Sequence, residues 1–284
     1  IDKEHLDYYK NFKNLYKSFE TFINKTPLIG KSFVCTDDKF LKKILRKKNK
    51  SNIITYGFEN GSDLHPYNVK NSGKMMFFNI SVKLNNKVEH IKNIELNLLG
   101  KHNVLNATAA IGVAKSLGIK NNTIKATLKN FLGVQRRLTK ITNFRGSEIY
   151  DDYAHHPTEI ISVLNAIKSG FKEKKIVTVF QPHRYSRVAS LKKEFANAFK
   201  DSDLVVLCPI YAASEKPIKN INHYELAKLI NKNSKKDVIC IENQFDLERF
   251  IKRHTYGNEV IVCMGAGSIS SWIREIAVNL KNEH

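Results

Sequence analysis

Acidic residues are scarce: 27 Asp and Glu stand against 47 Lys and Arg, a formal charge of +20. Cysteine is scarcer still. The four (Cys35, Cys208, Cys240 and Cys263) include no Cys-x-x-Cys pair, which leaves no basis for a disulfide framework or a zinc site of ordinary spacing. Each lies in or beside an apolar strand-like run, so reduced, buried thiols in a cytoplasmic setting are expected. No apolar run approaches the ~20 residues that cross a bilayer, and no signal peptide is read at the start. A membrane partner is therefore not expected. A phosphate-binding loop is missing too. Gly30-Lys31-Ser32 imitates its end, but Lys25 stands where the first glycine belongs and the segment leads into a strand-like run, where the loop requires a helix. There is no low-complexity segment and no internal repeat.

What is present begins with that basic surplus. It is open to two readings, a nucleic-acid or anionic-surface partner, or lysines scattered over solvated faces. The lysines come in ones and twos (Lys42-Lys43, Lys47-Lys48, Lys174-Lys175, Lys235-Lys236) with no RNA-recognition signature beside them. Scatter is the better reading, nucleic acid is not expected, and the charge suits a small polyanionic substrate. At 284 residues, 42% hydrophobic and 26% charged, the chain has room for two domains and a substantial core.

The first stretch mixes patterns. Helices are expected over Leu6 to Phe22, Asp37 to Lys47, Asn103 to Ser116 (capped by Gly118) and Asn122 to Asn130. Strands are expected over Ser32 to Cys35, Ile53 to Tyr56, Lys74 to Leu84 and His90 to Leu98. From Glu148 the pattern becomes regular. Strand-like runs at Glu148 to Tyr150, Ile176 to Phe180, Leu204 to Cys208, Val238 to Ile241 and Val260 to Met264 alternate with helices at Pro157 to Ser169, Ser190 to Phe199, His223 to Asn231, Gln244 to His254 and Ser268 to Leu280. That alternation predicts an α/β fold with a mainly parallel sheet and helices on both faces. The boundary falls near Gly133 to Arg137, giving domains 1–134 and 135–284.

Two stretches carry the chemistry. Tyr150-Asp151-Asp152-Tyr153-Ala154-His155-His156-Pro157-Thr158-Glu159 follows one strand-like run, and Phe180-Gln181-Pro182-His183-Arg184-Tyr185-Ser186-Arg187 closes another. In open parallel sheets ligands bind past the carboxyl ends of the strands. Asp151-Asp152 reads either as a solvated loop or as acids that orient a cation or a ribose. His155 and His156 read as core, capping or functional residues, Pro157 being a plausible first helical residue. Arg184 and Arg187, three apart, would share a face in a helical turn and suit a carboxylate or phosphate. At Gly100-Lys101-His102-Asn103-Val104-Leu105-Asn106, helix capping is preferred over adenine recognition by Asn106. Gly133-Val134-Gln135-Arg136-Arg137-Leu138 offers an arginine to a phosphate. Met264-Gly265-Ala266-Gly267-Ser268 reads as a tight turn.

Taken together these motifs resemble the Mur ligases of peptidoglycan synthesis, over essentially the whole chain. The resemblance implies the later part of a central ATPase domain followed by a Rossmann-like amino-acid-binding domain. It implies ATP-driven joining of L-alanine to UDP-N-acetylmuramate through an acyl phosphate, with ATP and Mg²⁺ as cofactors. By the same resemblance His5, in Ile1 to Tyr9, would be a magnesium ligand. His102, Asn103, Asn106, Arg137 and Asp152 would contact the nucleotide. Tyr153, His155, His183, Arg184 and Arg187 would line the alanine site, with His155 or His183 positioning or deprotonating the amine. The segment from Gly133 to Arg137 would act as the hinge. The branch that recycles a murein tripeptide has a similar His-His-Pro loop and is the alternative enzyme. A basic nucleic-acid-binding protein is the alternative of another class. The chain departs from the family pattern in carrying no UDP-sugar domain, no Gly-x-x-Gly-Lys-Thr/Ser loop and no upstream glutamate to partner His5, and in having Leu138 where Phe is usual. It starts at Ile1 and is expected to be a piece of a longer enzyme, completed by the missing N-terminal half and inactive alone.

Overall fold

The computed structural model describes residues 1–46 and 52–282. The backbone divides into two units, Ile1–Phe131 and Leu132–His284. The first runs α1 (Leu6–Tyr9), α2 (Phe12–Asn24), β1 (Ser32–Cys35), α3 (Lys39–Leu45), β2 (Ile53–Tyr56), β3 (Leu64–Ser72), β4 (Met75–Leu84), β5 (Lys87–Leu96), α4 (Lys101–Ser116) and α5 (Asn121–Asn130). Its sheet has the order β1-β2-β3-β4-β5. The β1, β2 and β3 strands are parallel, and β3, β4 and β5 are antiparallel.

Three expectations change here. The helix over Leu6 to Phe22 is two helices, because Lys10 takes φ 68 and Asn11 restarts the chain as an N-cap, accepting from Asn14 N–H at 2.9 Å. A right-handed helix cannot pass through a positive φ, and Asn is a strong cap. The helix over Asp37 to Lys47 is shorter, since Asp38 caps it by accepting from the N–H of Phe40 and of Leu41, each at 2.8 Å. Lys47 and the Lys47-Lys48 pair lie outside the described residues. The β3 strand is additional. Pro66 and Asn68 (φ 52) hide it in the sequence, and its pairing shifts between Tyr67 and Lys70.

The alternation in β4 sends Met76, Phe78, Ile80 and Val82 inward, onto Ile91, Ile94 and Leu96 of β5 and Val104, Ala107 and Ile111 of α4. The small residues of α4 let it lie close to the sheet. A Cβ added at Gly112 would fall 2.2 Å from Leu64 Cδ1 and 2.8 Å from Phe33 Cε1.

The second unit runs β6 (Thr139–Phe144), β7 (Ser147–Asp152), α6 (Pro157–Gly170), β8 (Lys175–Phe180), α7 (Tyr185–Ser190), α8 (Lys192–Ala196), β9 (Leu204–Leu207), α9 (His223–Ser234), β10 (Asp237–Cys240), α10 (Gln244–His254), β11 (Glu259–Met264) and α11 (Ile269–Lys281). The sheet order is β10-β9-β8-β11-β7-β6, parallel throughout except for the β6–β7 pair. The β6 edge strand was not expected, its run from Thr139 to Phe144 being short and largely polar. The helix over Ser190 to Phe199 is α7 and α8, parted at Leu191 (φ −118). Every residue of β11 is buried, as a central parallel strand requires. On one face Val177 and Val179 meet Phe250 of α10 and Ile269, Ile273, Ile276 and Leu280 of α11. On the other, the Phe180 ring lies 5.7 Å from Phe195 and 5.4 Å from Phe199.

Two strand-end tethers set up the site. Met264 pairs with both Asp152 and Phe180, and Phe180 pairs with Leu207, so four parallel strands finish level. Gly265 (φ 152) must be glycine, because a Cβ there would sit 2.8 Å from Gln181 O.

Gly112→Ala tests the close approach of α4. Overpacking of about 1–3 kcal/mol is expected to outweigh a helix-propensity gain of roughly 1 kcal/mol. The urea midpoint should fall, and a raised midpoint would mean that the helix has room to move outward.

Candidate functional site at the carboxyl edge of the second sheet

The level strand ends release three short loops side by side, and hydrogen bonds tie them together. Gly265 N–H donates to Asp152 O at 3.1 Å, and Gln181 N–H donates to Met264 O at 2.9 Å. The Gln181 side chain accepts from Ile269 N–H at 3.0 Å and donates to Ser268 Oγ at 3.0 Å, locking the β8 loop to the start of α11. A fourth segment joins through β9. His183 bridges to Tyr211, whose O accepts from Arg184 N–H at 2.8 Å.

Asp151 and Asp152 belong to β7, and the solvated-loop reading fails for both. Asp151 is fully buried, and its Oδ2 accepts from Ser270 Oγ at 2.6 Å and from Arg274 Nη2 at 3.1 Å. Asp152 is also buried, with each oxygen accepting one backbone N–H: Leu138 on Oδ2 and Ala154 on Oδ1, both at 2.7 Å. Burial raises its pKa to about 6, against the lowering effect of those two bonds. Arg136 O accepts from Tyr153 N–H at 2.7 Å, so residues 136–138 are stapled along the end of β7. The Arg136 and Arg137 guanidiniums lie 4.6 and 5.7 Å from the centre of the Tyr153 ring. Arg136 Nη2 also donates to Gly265 O at 2.7 Å.

The histidines separate cleanly. His156 caps α6: its Nδ1 accepts from Thr158 N–H at 3.3 Å, while Glu159 Oε2 accepts from the N–H of His155 and of His156 at 3.0 and 3.2 Å, a reciprocal capping box. His155 instead faces the loops. Its ring meets Tyr153 edge-on at 5.1 Å and His183 at 6.0 Å, and the His183 ring stacks on Tyr211 at 5.4 Å. Arg187 Nη1 donates to His183 Nδ1 at 3.1 Å. Burial, then the cations Arg187, His155 and Arg184, lower the His183 pKa to about 4. Arg184 is the N-cap of α7 with φ 69, outside the helix, so the same-face argument for Arg184 and Arg187 does not apply. Glu215, in the stretch Pro209 to Pro217 that also resembles a strand-end loop of the family, takes the Ser186 N–H and Oγ–H at 3.0 and 2.5 Å. The cluster therefore gathers Tyr153, His155, His183, Arg184 and Arg187 with Arg136, Arg137, Glu159 and Tyr211. It is a cationic, aromatic-walled edge suited to a small anion.

The other expected residues lie in the first unit. Gly100 is the N-cap of α4 and makes no side-chain capping bond. Asn103 Nδ2 donates back to Leu99 O at 2.7 Å, and Asn106, exposed one turn on, donates from Nδ2 to Asn103 Oδ1 at 3.5 Å. His5 is the exposed N-cap of α1. Among the described residues no three His, Cys, Asp or Glu side chains gather to hold a metal ion. The four cysteines are free thiols; burial raises the pKa of Cys208 and Cys263, which leaves both inert. No described helix is long and apolar enough to cross a membrane.

Residues 1–114 match the Mur ligase middle domain, and residues 136–267 match the Mur ligase, glutamate ligase domain. The chain belongs to the Mur ligase family. Within it, the chain is 46% identical over 277 residues to the UDP-N-acetylmuramate–L-alanine ligase of Pelagibacter ubique, covering 97% of this chain and 60% of that protein. The fold is that of the UDP-N-acetylmuramate–alanine ligase of Thermotoga maritima (TM-score 0.77, 24% identity, 99% of this chain and 58% of that one). It is also that of the MurF ligase of Thermotoga maritima solved in complex with ADP (TM-score 0.73, 16% identity, 100% and 61%). The chain thus spans about 60% of the length of the curated relative it matches.

Asp152 and His183 pull stability in opposite directions with pH. A raised Asp152 contributes stability that is full below its usual 3.8 and lost as pH rises through about 6. A lowered His183 contributes stability that is full above its usual 6.5 and lost as pH falls through about 4. Thermal midpoints at about pH 6.5 and about pH 4.5 should show Asp152→Asn losing more stability on acidification than the parent, and His183→Gln losing less. Identical acid responses in all three proteins would overturn both assignments.

Proposed function

We propose that this chain is the nucleotide- and amino-acid-handling part of a ligase that joins L-alanine to UDP-N-acetylmuramate at the expense of ATP, in the cytoplasm. The observation that carries the reading is the meeting of His155, His183 and Arg187 at one sheet edge, in a chain 46% identical to a ligase of that name. In this reading the muramate carboxylate attacks the γ-phosphate of ATP, and the alanine amine displaces phosphate from the resulting acyl phosphate. Arg184 and Arg187 hold the alanine carboxylate by charge-assisted hydrogen bonds, which fixes where the amine points. Tyr153 and His155 wall the amine side. Arg137, over half exposed beside Tyr153, offers its fork to a phosphate, while Asp152 keeps that segment in place. His102, Asn103 and Asn106 form the adenine-side contact in this proposal. A bound magnesium ion would neutralise phosphate charge, and His5 would be one of its ligands.

The test is phosphate release by the full-length protein with ATP, Mg²⁺ and UDP-N-acetylmuramate, comparing L-alanine, a murein tripeptide and no acceptor. Release that requires L-alanine is the expected result. Release with the tripeptide alone would move the protein to peptide recycling. No release with either, joined to a steep salt-dependent affinity for DNA or RNA, would favour the nucleic-acid reading. Arg187→Ala should raise the KM for L-alanine at least about tenfold, the loss of one charge-assisted contact, while the KM for ATP stays within about twofold.

A further inference from the structure

Helix α7 cannot stand by itself. It has six residues, against the ~12 at which an isolated helix becomes even marginal, and its N-cap, Arg184, makes no side-chain capping bond. A guanidinium only donates, so Arg184 cannot satisfy the first N–H groups of the turn it begins. The acceptor comes from far along the chain. Glu215 Oε2 accepts from Ser186 N–H at 3.0 Å and Glu215 Oε1 from Ser186 Oγ–H at 2.5 Å, so each carboxylate oxygen has its own donor in the first turn of α7. Burial works to raise the Glu215 pKa, but the Ser186 bonds and the Arg184 cation outweigh it and leave it lowered, which keeps the acceptor charged.

The turn that delivers Glu215 is an uncommon one. Glu215 N–H donates to Ala212 O at 3.0 Å, and the two residues between them, Ala213 and Ser214, take φ 47 and 69. Positive φ at both central positions is the type I′ pattern, which Asn-Gly adopts readily and Ala-Ser does not. Two such residues in succession persist only where the surroundings hold them. Here the surroundings are the β8 loop. Pro182 O accepts from Tyr211 N–H and Tyr211 O accepts from Arg184 N–H, both at 2.8 Å, and the Tyr211 ring stacks on His183. Segment 211–215 is thus laced to segment 182–186 at both ends, by Tyr211 at the start and by Glu215 at the finish. Arg184 and Arg187 flank Ser186, the residue that Glu215 grips. From this lacing, and resting on the proposed amino-acid site, we infer that Glu215 is a positioning residue of the ligase: acting through Ser186, it fixes the backbone from which Arg184 and Arg187 reach the amino-acid carboxylate.

A purely electrostatic role has the opposite sign. An acid beside Arg184 also repels the carboxylate of an incoming amino acid. Were Glu215 only a charge in the site, its removal would tighten amino-acid binding. As a clamp, its removal loosens the arginines and weakens binding. Glutamine separates the two, because it loses the charge and keeps an acceptor for Ser186.

In the full-length enzyme, Glu215→Ala should raise the KM for L-alanine at least about tenfold and lower kcat by less than about tenfold, on the scale of a lost hydrogen bond to a charged group. Glu215→Gln should bring that KM back to within about threefold of the parent, as a neutral acceptor replaces the charged one. A KM for L-alanine that falls in both variants, or that keeps its parental value in Glu215→Ala, would overturn the inference. Hydrogen exchange in residues 1–284 reads the clamp without turnover. The Ser186 amide should exchange at least about tenfold faster in Glu215→Ala and close to the parental rate in Glu215→Gln; equal rates in all three would overturn the clamp. Ser214→Gly accepts φ 69 without strain and should raise the thermal midpoint by about 2–4 °C; a lowered midpoint would overturn the strained turn as the means of delivery. Absence of alanine-dependent phosphate release by the parent enzyme would instead sink the proposed function, and the exchange rates would still decide the clamp.

Discussion

The site depends on register. Asp152, Met264, Phe180 and Leu207 end four neighbouring parallel strands at one level, because the ladder pairs Met264 with Asp152 and Phe180, and Phe180 with Leu207. A parallel ladder slipped by one residue would exchange the faces of every side chain on that strand. Val177 and Val179 could not then meet α10 and α11 while Phe180 meets Phe195 and Phe199. Core packing on both faces fixes the register, and the register sets the height at which His155 and His183 leave the sheet. The hydrophobic core is in this sense what brings two rings within 6.0 Å.

Polar groups buried at that edge then remove the remaining freedom. Gln181 uses its amide as a strut between the β8 loop and α11, which a hydrophobic residue of the same size could not do. Asp152 holds Leu138 and Ala154 at a cost visible in its raised pKa, and Asp151 anchors α11 through Ser270 and Arg274. Burying two carboxylates at one strand end is expensive unless each is satisfied by donors. The donors they take belong to the segments that carry Tyr153, His155 and the arginines.

Much of this was legible in the sequence. The alternation from Glu148 onward gave the parallel sheet and nearly every helix, because fully buried strands and amphipathic helices leave strong periodic traces. The loops stood out because His, Arg and Asp were concentrated after strand-like runs. The losses have physical causes. Edge strand β6 and proline-bearing β3 bury too little to leave a clean pattern. Glu159 reads as a helix-cap residue, which it is; its second duty beside His155 Nδ1 follows from a fold of the chain over four residues that periodicity does not register. Tyr211 sits in a strand-end loop far along the chain, and it reaches His183 because β9 pairs with β8, a matter of strand order. Arg184 and Arg187 were placed on one helix face, but a positive φ at Arg184 puts it before the helix begins.

The two histidine rings differ in how their placement is inherited. Arg187 fixes His183 with a side chain, and a single substitution at that position can release the ring. His155 is fixed by the backbone oxygen of residue 153, which every amino acid supplies. Drift at position 153 can reshape the wall of the site and still leave that hydrogen bond in place, so the side chain there can vary while the orientation of the His155 ring is passed on intact.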